Sequence, residues 1–508
     1  MARLLLCTTL PGAAGGCMVG PNYHRPAAIA SPQFKELQPM PGWQRATPAA
    51  AELSRGSWWR IYDDPTLDAL ESQVSLSNQN IKVYEANYRA AKALVNVARA
   101  ALFPTLSAAP GVTRSSSGSN GSGIGGAGLG GTTFSSGSSS YTSSNYQLEG
   151  TASWDLDVWG RIRRQVESDV SSAQASAADL ANATLSYQAT LATDYFNLRA
   201  EDQLQTLLNR TLASYTRSLE ITQNQYNAGL STATPTALLQ AQTQLEQTRA
   251  QAINVGVLRT QYEHAIAVLI GRPPADLTLA EGSLTPVVPP IPVLLPSVML
   301  QRRPDIAAAE RVMEQENALI GVEVAAFFPD ISLSALYGWS GNPIGSLIQA
   351  SNRVWSLGAS ATQVLFEGGL RSAAIDEARA NYDAAVATYR QTVLSAFEAV
   401  EDDLSALRIL AQQAEAQARA VAFAEQAVTV ALNQYTAGTT DYTTVVTSQT
   451  TALSNEQTAL AIQQDRMIDS VSLIEQMGGG WTTADLPSKN SLQTENPLIP
   501  SFLEKSAH

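Results

Sequence analysis

Cysteine is almost absent from this 508-residue chain, and both copies, Cys7 and Cys17, lie at the very start. The body therefore offers no thiol for a disulfide, a redox centre or a metal site. Histidine is equally scarce: His24, His264 and His508 are too few and too scattered for a metal cluster or a triad, and His264 reads as a packed or solvated helix residue. Charged residues make up only 15% of the chain with a net charge of −13, which lacks the clustered Lys and Arg that nucleic acid demands and leaves acidic surfaces or a cation-favouring lumen open. No apolar run reaches the ~18 residues of a transmembrane helix. The glycine run at 121–131 has no following Lys-Ser/Thr and no strand-to-helix switch, so it is no Walker loop. No nucleophile and base stand in a defensible pair, and neither an enzyme nor a cofactor is expected.

What the chain does contain is said twice. Gln225-Tyr226-Asn227-Ala228-Gly229 returns 209 residues later as Gln434-Tyr435-Thr436-Ala437-Gly438. Phe103-Pro104 returns as Phe328-Pro329 after 225 residues, and Glu85 and Glu310 keep the same step. The protomer is expected to have pseudo-two-fold symmetry.

Strict alternation marks the strands. Tyr146, Leu148, Gly150, Ala152, Trp154, Leu156 and Val158 share one face, and Gln147, Glu149, Thr151, Ser153, Asp155 and Asp157 the other. Ile331 to Trp339 repeats the pattern, Trp355 to Ala361 begins it again, and a weaker strand starts near Leu106. Strands of about 105–114, 146–159, 331–340 and 353–366 fit the ~9–11 residues that cross an outer membrane. By itself the alternation also suits a soluble two-layer sheet. Four strands cannot close a barrel, and an open edge in hydrocarbon leaves backbone groups unpaired, so a membrane reading requires a dimer, a trimer or a larger ring.

Helices fill most of the remainder. No proline interrupts 161–228 or 371–437, each long enough for roughly 100 Å of helix. In the second, Ile375, Ala378, Tyr382, Ala385, Tyr389, Val393, Ala396, Val400, Leu404 and Leu407 form a coiled-coil seam rich in alanine. Gly229 and Gly438 end these helices, Thr234-Pro235 and Asp441 cap the return helices 235–270 and 442–476, and two hairpins result. A further helix spans about 66–101 before Phe103-Pro104. Residues 66–270 and 301–477 are thus the two repeats, joined by a stiff proline-rich linker over 271–300 and followed by a loosely ordered tail over 478–508. The Gly/Ser/Thr-rich stretch 115–144 is a loop between strands, external in a barrel.

Residues 1–16 look like a signal peptide, with Arg3, Leu4-Leu5-Leu6 and Ala13-Ala14-Gly15-Gly16 directly before Cys17. In a lipoprotein reading Cys17 becomes the acylated N-terminus of a strap over 17–65 that includes Trp43, Trp58 and Trp59; the alternative is an ordinary secretory leader.

Cys17 followed by Val19-Gly20-Pro21-Asn22-Tyr23-His24-Arg25-Pro26, then Trp58-Trp59 with Asp63-Asp64-Pro65, Trp154-Asp155-Leu156-Asp157 with Trp159-Gly160-Arg161, Arg303-Pro304-Asp305-Ile306 and Phe328-Pro329 carry a family resemblance. With the repeat, they cover nearly the whole mature chain. The chain resembles TolC-like outer-membrane efflux proteins, in the lipoprotein branch serving resistance-nodulation-division (RND) pumps. The resemblance implies a mixed membrane β-barrel and α-helical barrel: a homotrimer in the bacterial outer membrane, four strands per protomer in one 12-stranded barrel, continued by long coiled-coil helices. It implies a periplasmic adaptor (membrane fusion protein) and an inner-membrane RND transporter as partners, outer-membrane lipid around the barrel, and drugs, dyes, detergents or metal ions as cargo. Read from the residues alone, a lipid-anchored coiled coil or adhesin, and more weakly an envelope hydrolase, stand beside an exit duct.

Three groups of candidate site residues follow. Tyr226, Gly229 and Leu230 with Tyr435, Gly438 and Thr439 form the distal tips, where an adaptor would dock. Relatives of the branch commonly narrow the periplasmic aperture with a Leu and an Asp, at places that hold Thr443 and Thr447 here; Asp441 and Tyr442 stand close enough to constrict the mouth instead, although Asp441 also reads as a plain N-cap. Glu149, Asp155 and Asp157 are candidate lumen carboxylates, with pairing to Arg161, Arg163 or Arg164 as the structural alternative.

Overall fold

The computed structural model describes residues 18–27, 33–36, 57–117, 141–230, 233–285, 287–291 and 296–493. The leader, Cys17, Trp43, most of the strap and the final residues of the tail lie outside the described residues.

The repetition in the sequence is a repetition of elements. Helix α1 (Pro65–Ser77) precedes α2 (Gln79–Ala100), strands β1 (Thr105–Ser117) and β2 (Tyr141–Asp155), and helices α3 (Arg161–Asn227) and α4 (Pro235–Leu269). The second half runs α5 (Pro296–Arg302), α6 (Pro304–Ala325), β3 (Asp330–Gly341), β4 (Arg353–Thr362), α7 (Leu370–Thr436) and α8 (Tyr442–Gln476), with α9 (Lys489–Gln493) last. Counterparts match in length: 22 residues for α2 and α6, 67 for α3 and α7, 35 for α4 and α8. Both long helices open on a left-handed glycine, Gly160 at φ 84° and Gly369 at φ 91°, a conformation a Cβ would strain.

The four strands form one antiparallel sheet in the order β1-β2-β3-β4, leaving β1 and β4 as open edges. The register keeps the faces separate: Leu106 opposes Ala152, Trp154 opposes Leu333, and Leu333 opposes Ala359 on the apolar side. On the other side hydroxyls meet across strands, with Ser107 and Thr151 at 2.6 Å and Ser332 and Ser360 at 2.8 Å. Four strand boundaries differ from expectation by more than one residue. β1 runs on to Ser117, and β2 starts at Tyr141 and stops at Asp155. β4 stops at Thr362 because β3 begins at Asp330 directly opposite, so residues 363–366 have no strand to pair with.

The main core girdles the middle of α3, where Trp58, Leu67, Tyr195, Phe196 and Leu198 pack with Met467 and Leu473 of α8. The alanine-rich seam of α7 is buried from Ala378 through Leu407, except for Ile375 and Tyr382 at its start, which are half-buried. The helix expected over 66–101 is two helices, because Asn78 is extended; its side chain accepts from the Asn80 and Ile81 amides and donates to the Leu269 carbonyl. The linker's last residues are helical, as α5. The tail expected to be loose is docked through 493: Gln174 donates to the Pro487 carbonyl (2.8 Å), Lys489 pairs with Glu314, and Leu492 is buried. The physical reason is a capping box at Thr482 and Asp485 that turns the chain back onto α3 and α6, where Trp481 and Leu486 pack.

Candidate functional site

Each long helix ends in the same bonded turn. Leu230 N–H donates to the Gln225 carbonyl and Gly229 N–H to that of Tyr226; Thr439 N–H and Gly438 N–H do the same to Gln434 and Tyr435. This is the Schellman arrangement, which needs the positive φ of Gly229 (74°) and Gly438 (75°). Thr234 caps α4 by accepting from the Ala237 amide at 3.2 Å. Asp441 sits at the N-cap position of α8, yet its side chain makes no capping bond and stays exposed, so the expected cap is absent.

The tips are not symmetrical in exposure. Tyr226 and Leu230 are 41% and 49% exposed, and Gly229, Gly438 and Thr439 are exposed as well. Tyr435, expected at the docking surface, is fully buried: its hydroxyl donates to Thr222 Oγ1 (3.3 Å), and its carbonyl accepts from Gln225 Nε2 (3.3 Å). Tyr442, expected at the aperture, is buried too, edge-on to Tyr435 at 5.2 Å, and burial pushes its phenol above the ordinary range. Two apolar rings with satisfiable hydroxyls do better between helices than in water. The two tyrosines therefore tie the hairpins together. Thr443 and Thr447 remain on the exposed face of α8, where Thr447 Oγ1 is satisfied by the Thr443 carbonyl.

At the other end of α3 the carboxylates separate by role. Glu149 and Asp155 stay on the polar face of β2, Asp155 exposed and Glu149 half-buried. Asp157 does not join them. It accepts from the Ile162 and Arg163 amides (2.9 and 3.0 Å) and pairs with the Arg163 guanidinium at 3.0 Å, because the turn at Gly160 folds it onto the helix N-terminus. Asp330 takes the vacated role, opening β3 on the same polar face as Asp155 and exposed. The alternation of Asp330 with Ile331 was its sequence signal.

The junction motifs hold the strap. Arg164, 1% exposed, donates to the Val19 and Gly20 carbonyls and to Asn22 Oδ1 and pairs with Glu167, while Asn317 donates to the Pro21 carbonyl. Arg25 reaches Tyr389 and Glu310. Trp159 stacks on Phe328 at 4.7 Å, and Asp64 caps α1 while accepting from the Tyr195 hydroxyl. Arg303 is clamped by Asp305 and by the Gln476 carbonyl, fixing the start of α6 to the end of α8. Residue 18 thus lies against the strand-to-helix junction, where Met18 contacts the position a Gly160 Cβ would take. Among the described residues no helix is long and apolar enough to cross a membrane, and no metal-binding group of acids and histidines is found.

A family model described as outer membrane efflux protein matches residues 70–272 and 295–479, which takes in both repeats. The chain belongs to the outer membrane efflux protein family. It is 29% identical over 405 residues to the probable efflux pump outer membrane protein TtgC of Pseudomonas putida, covering 79% of this chain and 80% of that one. It is 26% identical to the probable outer membrane lipoprotein SilC of Salmonella typhimurium, covering 94% and 99% of the two chains. The solved structure of the outer-membrane channel OprN superposes with a TM-score of 0.82 at 28% identity, covering 92% of this chain and all of that one. This outer-membrane efflux protein accordingly has the fold of the TolC-like channels.

Proposed function

We propose that three copies close their sheets edge to edge into one 12-stranded barrel and that the assembly is the exit duct of a tripartite efflux system. The observation that carries the reading is the four-stranded sheet with two unpaired edges and an exposed apolar face, on which Leu106, Tyr337, Trp355 and Leu357 project. Strands of 10 to 15 residues span the hydrocarbon, and pairing β4 of one copy with β1 of the next removes every edge. Around the ring the polar faces, with Glu149, Asp155 and Asp330, line a water-filled lumen, and the 67-residue helices carry it roughly 100 Å into the periplasm.

The exposed tip residues Tyr226, Gly229, Leu230, Gly438 and Thr439 face a periplasmic adaptor, which links the duct to an inner-membrane RND transporter. Cys17 carries the lipid, and the Arg164 clasp on residues 19–22 keeps that anchor beside the barrel base. Asp441 with Thr443 and Thr447 borders the periplasmic mouth. The cargo is drugs or other small toxic compounds, a reading supported by the names of two similar Pseudomonas putida proteins, the antibiotic efflux pump outer membrane protein ArpC and the toluene efflux pump outer membrane protein TtgC.

Native mass spectrometry of detergent-extracted protein, followed by single-channel recording in a planar bilayer, tests the assembly. Conducting trimers are expected; a monomer that conducts overturns the three-copy closure, and a trimer that never conducts overturns the duct in favour of a lipid-anchored coiled coil.

A further inference from the structure

Charges on the four strands are sorted by sign. The face bearing Leu106, Trp154 and Trp355 has two charged residues in the described strands, Arg114 and Arg353; the opposite face has Glu149, Asp155 and Asp330. Arg114 lies on β1 and Arg353 on β4, each in the half of its strand farthest from the long helices, and both are exposed. Neither has an ion-pair partner among the described residues. The sequence cannot supply one nearby either. No Asp or Glu occurs from residue 105 to 148 or from 331 to 366, which includes both outer loops, so a second or third copy brings none to this level.

An unpaired arginine facing lipid costs about 2–4 kcal/mol at the membrane midplane and about 0–1 near the interface. Both arginines therefore mark the headgroup level, as does the aromatic pair beside Arg353: Trp339 lies directly opposite Arg353 and packs edge-on to Tyr337 at 5.6 Å. Within one sheet β1 and β4 are three strand spacings apart, roughly 14 Å. Ring closure changes that. It sets β4 beside β1 of the next copy, one strand spacing away, and brings two uncompensated guanidinium groups to each junction; in the register of one sheet Arg353 is level with Pro110, four residues or roughly 13 Å along the strand from Arg114. Like charges gathered at one junction in a low-dielectric wall call for an anion near them, and the guanidinium fork matches phosphate oxygens two at a time.

Resting on the barrel reading above, we propose that each junction between copies binds a phosphate-bearing lipid headgroup of the outer leaflet, held by Arg353 of one copy and Arg114 of the next. The sorting of charge then has two consequences in one wall, cations gripping anionic lipid outside and carboxylates facing the lumen.

The full-length protein and the Arg114→Gln/Arg353→Gln double variant are purified as trimers, exposed to lipopolysaccharide, to phosphatidylglycerol or to phosphatidylcholine, and examined by native mass spectrometry and thermal melting. Up to three retained lipopolysaccharide molecules per parent trimer are expected, with a raised melting temperature and little retention of phosphatidylcholine. The double variant should retain lipopolysaccharide at least tenfold less while conducting as the parent does. Equal retention in parent and double variant overturns the site, as does parent retention of phosphatidylcholine equal to that of lipopolysaccharide. Retention of phosphatidylglycerol alone overturns the headgroup assignment to the outer leaflet. Should the double variant fail to assemble, Arg114→Lys/Arg353→Lys replaces it: weakened retention then supports the bidentate site, and unchanged retention overturns it. A parent that forms no conducting trimer fails the barrel reading, a result separate from every lipid outcome.

Discussion

Tyr226 and Tyr435 occupy the same place in the two repeats, and the fold treats them oppositely: Tyr226 is 41% exposed, whereas Tyr435 is fully buried with its hydroxyl on Thr222 of the other hairpin. One repeat thus presents a tyrosine outward while the other spends its tyrosine joining the hairpins. Tyr435→Ala removes a buried ring and should destabilise the hairpin ends by about 3–5 kcal/mol. Hydrogen exchange at residues 215–225 should rise in that variant. Tyr226→Ala should leave exchange there unchanged and instead weaken capture by the adaptor; identical behaviour of the two variants refutes the distinction.

The tip glycines should not tolerate side chains with restricted φ. Neither has a neighbour within 4 Å of a built Cβ, so the obstacle is backbone conformation and not space. Alanine at either costs about 1–2 kcal/mol through the positive φ. Gly229→Pro with Gly438→Pro should abolish drug export while trimers remain in the membrane. Normal resistance in cells carrying the double substitution would exclude the tips as the docking surface.

Lumen selectivity should follow Glu149, Asp155 and Asp330 and not Asp157. Trimerisation repeats each lumen carboxylate into a ring whose field favours cations at low salt. Asp155→Asn with Asp330→Asn should shift the reversal potential under a salt gradient toward zero, as added salt does. Asp157→Asn should leave the potential alone and cost about 1–2 kcal/mol of stability through loss of its amide and Arg163 contacts. A selectivity change in the Asp157 variant alone reverses the assignment.

Stability should fall as pH rises past the acidic range, in part through Asp403 on α7. Burial pushes its carboxyl up to about 7, opposed by the Ser472 hydroxyl and helped by Asp469, Asp402 and Glu475. A raised carboxyl favours folding while protonated, so this contribution is complete below about pH 4 and is lost as pH climbs toward 7. Asp403→Asn should therefore raise stability near pH 7.5 by roughly 2 kcal/mol, discounted for partial exposure, and make no difference near pH 4. A pH-independent gain would trace the effect to packing instead.

Anchoring by lipid should be dispensable for insertion. Cys17→Ser behind a cleavable leader should still insert and export, since the barrel provides most of the membrane contact. Finding that variant wholly soluble in the periplasm would refute the barrel.

Much of this molecule was legible in its sequence because the signals are local and periodic. Proline-free stretches set the long helices, Gly229 and Gly438 set their ends within a residue or two, and alternation assigned the residues of β2 from Tyr146, of β3 and of β4 to their faces. These follow from backbone geometry and need no knowledge of distant partners. What only tertiary structure decided is which of several chemically equivalent residues finds a distant partner. Tyr435 is buried by Thr222, 213 residues away, while Tyr226 has no such neighbour. Asp157 left the polar row because the turn at Gly160 brought two helix amides to it, and residues 478–493 are docked because Glu314 and Gln174 lie where they pass. Periodicity fixes a residue's face; the element packed on that face fixes what the residue does.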